Sequence, residues 1–408
     1  MRAARLRPLP AACALVLACS LAACGKSAHV ATPAAAGQAK NLAPLAAQGA
    51  VSLATRNTTR LGGSDVASDA AAVARAVYPG LTAASRPQAV VLVDERDWPA
   101  ALAASVLAAA PLSAPLLYSK DGALPDATLE TLEALHPLGA PSLGGAQVIR
   151  IGSAPAAPGS LVTRSLPAGE PAVTAAAVLA LSPLAHSARD VLVVPADAPL
   201  AMQMPAAGLA AEAGAPILFV SRARVPAATA TALAGLHHPS IYVIDSSAIG
   251  RTALGELGHL GHITEITTGS TPAQGESASS NAIAVARFTD GSFGWGVKEP
   301  GHGLVFASAA RPLDAPAAAS LSATGDYAPL LLFETPTEIP PALSTYLGDI
   351  QPAYTSAPSF RPVRGVYNHG WLIGDEQAIA AATQAEIDSL LQISPRKGSE
   401  EPSVSQPE

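Results

Sequence analysis

Lys120 stands directly after the run Ala114-Pro115-Leu116-Leu117-Tyr118-Ser119, and Arg222 and Arg224 follow Ala215-Pro216-Ile217-Leu218-Phe219-Val220-Ser221. Cations just beyond an apolar strand suit an anionic polymer, because open α/β sheets gather ligands at the carboxyl ends of their strands and a guanidinium offers forked donors. Solvated loop charges would look the same in sequence. A third run, Ala328-Pro329-Leu330-Leu331, leads to Glu334 instead. Arg60 and Arg164 lie near the starts of two long segments; they could face the same grooves, cap helix ends or pair with acids. Pro115, Pro216 and Pro329 open their strands, where no ladder donor is needed, so they either pack or line a groove.

Other chemistries find less support. Trp98, Trp295 and Trp371 could stack on sugars or anchor packing. His237-His238 and His259-x-x-His262 with Glu265 have ligand-type side chains, but no helix-borne His-Glu-x-x-His spacing, and Gly258 and Gly261 argue for loop. No metal is expected. The chain has no Gly-x-Ser-x-Gly elbow, no Gly-x-x-x-x-Gly-Lys loop and no Gly-x-Gly-x-x-Gly after a strand, so neither an enzyme nor a cofactor is expected.

Arg2, Arg5 and Arg7 precede an apolar stretch from Leu9 to Ala23 that ends Leu21-Ala22-Ala23-Cys24-Gly25. Residues 1–24 resemble a bacterial lipoprotein signal, in which Cys24 is lipidated and becomes the mature N-terminus; an ordinary cleaved signal is the plain alternative. The resemblance implies an exported protein tethered by lipid to the outer face of the cytoplasmic membrane. All three cysteines, Cys13, Cys19 and Cys24, fall inside this segment, so the mature chain has no disulfide and rests on burial. The net charge of −7 becomes more negative once the three arginines are removed, which argues against nucleic acid as a ligand. With 49% apolar and 13% charged residues, the chain has the composition of one that folds. Trp98 to Tyr118 lacks charge, but Pro99, Pro111 and Pro115 divide it into a helix and a strand rather than a membrane span.

Residues 25–55 read as a flexible linker and 395–408 as a disordered tail. Between them the Ala-Pro-[Leu/Ile]-Leu runs mark three repeats, 56–160, 161–262 and 263–394, each the size of a small α/β module. The first alternates helix 69–77, strand 89–93, helix 100–110, strand 115–119, helix 127–135 and strand 148–151. The second repeats the order with strands at 191–194, 216–220 and 241–244, and the third with strands at 304–307, 329–333 and 371–373, closing on helix 376–391. Continuous Val/Ile/Leu runs indicate parallel strands buried on both faces.

Arg60-Leu61-Gly62-Gly63, the three Ala-Pro-[Leu/Ile]-Leu strands and the closing Ile151-Gly152 and Ile373-Gly374 together resemble the cell-wall-binding repeat 2 family of surface proteins. The helix starts depart from its Pro-Asp-Ala-Leu pattern, reading Pro99-Ala100-Ala101-Leu102, Pro199-Leu200-Ala201-Met202 and Pro312-Leu313-Asp314-Ala315, and the second repeat closes on Ile244-Asp245. The resemblance implies an α/β fold of three tandem Rossmann-like repeats with parallel sheets, packed with pseudo-threefold symmetry. It implies a non-catalytic, multivalent hold on a cell-wall polymer, an anionic polysaccharide or one like teichoic acid. The rival readings are a solute-binding lipoprotein of an uptake transporter, which needs two lobes and one cleft, and a wall-polymer hydrolase, which needs two acids at a cleft.

Overall fold

The computed structural model describes residues 51–167, 169–181, 183, 188–266, 277–323, 328–354 and 367–395. The signal, Cys24, most of the 25–55 linker and tail residues 396–408 lie outside the described residues. The fold is α/β, with three Rossmann-like repeats and parallel sheets.

The first unit contains β1 (Val51–Ala54), β2 (Thr58–Gly62), α1 (Val66–Val77), β3 (Val90–Asp94), α2 (Trp98–Ala104), β4 (Leu116–Ser119), α3 (Asp126–Leu135) and β5 (Val148–Ile151). The second contains β6 (Thr163–Leu166), α4 (Pro171–Leu181), β7 (Asp190–Pro195), α5 (Leu200–Gln203), α6 (Pro205–Ala213), β8 (Ile217–Val220), α7 (Ala227–Gly235), β9 (Ser240–Ile244) and α8 (Arg251–Gly258). The third contains β10 (His262–Ile266), α9 (Ala278–Arg287), β11 (Gly303–Ser308), α10 (Asp314–Ala323), β12 (Leu330–Phe333), α11 (Pro341–Asp349), β13 (Ala353–Tyr354), β14 (His369–Ile373), α12 (Ala381–Leu391) and β15 (Ser394–Pro395).

The main sheets run β4-β3-β5-β6, β8-β7-β9-β10 and β12-β11-β14-β2-β1, with every pairing parallel except β1 on β2. Strands such as Val90–Asp94 are buried along their whole length, which accounts for the absence of apolar-polar alternation. Each Ala-Pro strand begins the same way. The carbonyls of Pro115, Pro216 and Pro329 accept from Val91 N, Leu192 N and Val305 N at 2.9, 2.9 and 3.0 Å, and the missing proline N–H is not needed.

The segments do not coincide with the sheets. β6 opens the second segment but pairs with β5; β10 opens the third but pairs with β9; β2 opens the first but pairs with β14 of the last. Every unit therefore lends its first strand to the preceding sheet, and β2 closes the ring from first to third. Val51–Ala54, expected in the linker, is instead an edge strand antiparallel to β2.

Alanine abundance has a place in this architecture. Ala108, Ala211 and Ala319, from the helical segments that follow β3, β7 and β11, form one buried cluster where the units meet. Small side chains let these helices approach closely, and a Cβ on Gly208 would lie 2.8 Å from Ser322 Oγ. The charge-free stretch expected to be helix then strand is α2, a 3-10 turn at Ser105–Ala108, and β4. Among the described residues, no helix is long and apolar enough to cross a membrane.

Candidate binding face at the carboxyl ends of the strands

In each sheet the chain turns one way from the central strand to its second neighbour and the other way to its third. The crevices at the carboxyl ends of β3/β5, β7/β9 and β11/β14 are therefore topological switch points, where such sheets take ligands. Bonds between units draw these ends together. Trp98 Nε1 donates to Gln203 Oε1 at 3.0 Å, Tyr118 OH to Leu313 O at 2.7 Å, and Asn281 Nδ2 to Met202 O at 2.7 Å.

At the first crevice Asp94, 2% exposed, accepts from Arg96 N and Nε, both at 3.0 Å, and from Nη2 at 3.1 Å. These bonds from Arg96 hold its carboxyl below the usual carboxylate range. Lys120 is exposed and lies 3.4 Å from Glu95 Oε1, so its charge is partly matched.

The second crevice carries two arginines, and its acids Asp197 and Glu256 bond the loop backbone instead of the guanidinium groups. Arg222 N donates to Asp197 Oδ2 at 2.9 Å and Arg222 O accepts from Gly250 N at 2.8 Å, which fixes the loop backbone. Arg224 N donates to Ser221 Oγ at 3.1 Å. Both side chains are exposed, and among the described residues no acid lies within ion-pair distance of either guanidinium.

The third crevice is buried and acidic. Asp69 and Asp314 are both fully buried, and Arg311 pairs with Asp69, with Asp314 at 3.2 Å and with Asp375 at 3.5 Å. Asp69 Oδ1 also accepts from Gly63 N at 2.7 Å. Burial pushes both carboxyls up, and the negative charge of Asp314 raises Asp69 further. Gly62, at φ +135°, is required here: a Cβ would press on Asp69 Oδ1 and lie 2.7 Å from Gly374 N. Glu334, at the place of Lys120, accepts from Ser279 N at 2.9 Å and so caps α9.

The expected site residues do not form one patch. Lys120, Arg222 and Arg224 share the carboxyl ends, as anticipated. Pro115, Pro216 and Pro329 are buried at the opposite strand ends, so they pack and line no surface groove. Arg60 is 3% exposed; it donates to Gln384 Oε1 and Gly374 O at 3.0 Å and to Asp375 O and Ile379 O at 2.6 Å, which removes it from any surface. Arg164 is exposed on edge strand β6. The two arginines are not equivalent. Leu61 and Leu166 match by register to Ile373 and Ile151, so Arg60 lies one residue before its leucine and Arg164 two, on opposite strand faces.

Trp98 is buried and bonded, and Trp295 and Trp371 pack against the core, so all three serve packing. Among the described residues no three His, Cys, Asp or Glu groups converge as metal ligands. Asp69, Arg311 and Asp314 were not singled out in sequence. Asp314 is displaced by one residue from its proline, yet counted from the turns closed by Asp97 N, Ala198 N and Arg311 N it takes the place of Ala100 and Ala201.

No family model matches this chain, and no curated protein matches it. Among solved structures it is similar to Cwp8 from Clostridium difficile, with TM-score 0.61 and 16% identity, over 83% of this chain and 52% of that one. It is likewise similar to Cwp6 from Clostridium difficile, with TM-score 0.60 and 16% identity, over 84% of this chain and 51% of that one. The chain spans about half the length of both, and the likeness is one of fold.

Proposed function

We propose that this protein is a non-catalytic, envelope-associated binding protein whose carboxyl-end face holds an anionic or glycan polymer of the cell wall, with Cys24 carrying a lipid that tethers it. The observation that carries this reading is the pair of exposed arginines, Arg222 and Arg224, without acidic partners among the described residues, on a loop whose backbone is fixed by Asp197 and Gly250. A guanidinium held on an ordered loop meets carboxylate or phosphate at little entropic cost. On the first unit the corresponding cations, Lys120 and Arg96, are paired with Glu95 and Asp94, so the unpaired positive charge is concentrated on the second. A fold like that of two cell-wall proteins supports the reading without naming the polymer.

The rival readings fit the geometry less well. A transporter's solute-binding protein uses two lobes about one cleft, whereas here three alike sheets close in a ring. For a wall-polymer hydrolase, the acid pair that shares Arg311, Asp69 and Asp314, is fully buried away from any substrate.

The test is co-sedimentation of the full chain with purified wall polysaccharide at low and high salt, beside Arg222→Glu/Arg224→Glu. Salt-sensitive retention lost in the double variant supports the reading; retention unchanged by salt and by both substitutions overturns it.

A further inference from the structure

The pseudo-threefold repeat supplies an internal comparison at the grooves between α1 and α3, α4 and α7, and α9 and α11. Six residues after the buried polar groups Asp69, Thr174 and Asn281 come Arg75, Ala180 and Arg287. Six residues after the helix-capping Pro125, Pro226 and Pro340 come Thr131, Ala232 and Tyr346. These positions face one another in all three units, but the chemistry differs.

In the first unit Arg75 Nε donates to Thr131 Oγ1 at 2.8 Å and Nη2 lies 3.5 Å from Glu130, so the arginine is spent on its own groove. The second unit's groove, between α4 and α7, is lined by Ala176, Leu179, Ala180, Ala232 and similar small residues, with no charge. The third unit's groove brings together two cations, Arg287 and Lys298, and several hydroxyls, and its arginine keeps donors without partners among the described residues. Arg287 lies over the Tyr346 ring, 4.9 Å from its centroid, and Nη2 pairs with Asp349 at 2.5 Å. Among the described residues Nη1 has no partner, and neither has the buried Nε. Lys298 enters from the segment 288–302; it is exposed and lies within ion-pair distance of no acid among the described residues. The groove, about 570 Å³, is also lined by Ser280, Thr289, Thr345 and Phe288.

We propose that this groove is a binding site for a sugar that carries a carboxylate or a phosphate, with Arg287 and Lys298 holding the anion and the three hydroxyls meeting those of the sugar. Asp349 and Tyr346 fix Arg287 before the ligand arrives, which spares the entropy of ordering a long side chain. A lone inorganic anion would leave most of the volume and the hydroxyl lining unused, whereas the size falls in the range of small-ligand clefts. The site is separate from the carboxyl-end face and does not depend on the polymer reading.

The full chain is titrated calorimetrically with glucuronate, glucose 6-phosphate and glucose. The expected result is saturable binding of at least one anionic sugar, with glucose about tenfold weaker or worse, as for loss of a charged hydrogen bond. Which anionic sugar binds tells carboxylate from phosphate. Lys298→Glu, an exposed change checked for unaltered circular dichroism, should weaken binding about tenfold or more, and Arg287→Lys should weaken it too by losing the fork. Arg222→Glu should leave it unchanged. Absence of saturable binding by both anionic sugars, equal binding of glucose, or unchanged binding by Lys298→Glu overturns the proposal.

Discussion

Asp69 of α1 and Asp314 of α10 meet across the seam between the first and third units, both without solvent exposure, and one arginine, Arg311, pairs with both. Arg311 also reaches Asp375, so three acids share its charge, with Glu376 and the buried Arg60 adding to the local field. The seam is where β2 joins the last sheet, so the charges sit at the closure of the ring.

This arrangement sets a pH dependence. Burial raises both carboxyls, so the folded state binds protons more tightly than the unfolded one. The associated stability is fully present below the ordinary carboxylate value of about 4 and is lost as pH rises through the folded values. Asp69, pushed up to about 9, titrates in the alkaline range; Asp314→Asn removes the negative charge that helps raise it, so its shift shrinks, while Asp69 still serves Arg311. The variant's melting temperature should depend less on pH between neutral and alkaline conditions than that of the parent, and exceed the parent's at alkaline pH. Parallel slopes in thermal melts would contradict this.

Removing both acids should do the opposite. Asp69→Asn/Asp314→Asn leaves Arg311 with Asp375 alone, 3.5 Å away and partly exposed, and removing partners from a largely buried charge costs about 3 kcal/mol. Urea denaturation at neutral pH should show the double variant well below either single one.

Arg60→Met keeps the unbranched apolar stem but leaves the carbonyls of Gly374, Asp375 and Ile379 without their donor. The expected loss is about 3 kcal/mol or more. Arg164→Met, exposed on β6, should change stability by no more than about 0.5 kcal/mol. The contrast between the two, read from urea midpoints, tests the one-residue difference in register.

Ala319→Leu should overpack the three-alanine cluster and cost about 1–3 kcal/mol. A variant as stable as the parent in chemical denaturation would show that the units do not meet closely at this point.

The strands that carry the fold were legible because they are unbroken apolar runs, and Val148–Ile151 matches its expected span. The sheet edges were not. Thr163–Leu166 is exposed or half-buried and Thr58–Gly62 is rich in threonine, so neither offers a run or an alternation to read. The exchange of first strands between units is a long-range pairing with no local signal. Lys120, Arg222 and Arg224 were legible because their distance from a buried strand fixes their place. Arg60 looked like Arg164 because both open a segment, and only the register shows that they lie on opposite faces. Asp314 was hidden by a one-residue shift of its proline, although Arg311 and Asp314 at i, i+3 already hinted at a pair.

The most direct test of the proposed function is the affinity of the full chain for purified anionic wall polysaccharide, measured by surface plasmon resonance across a salt series and repeated with Arg222→Glu/Arg224→Glu. The account predicts tight binding at low salt that falls steadily as salt rises, with a shallower salt dependence and at least about tenfold weaker binding in the double variant. Equal affinities and equal salt dependences for the two proteins would contradict it.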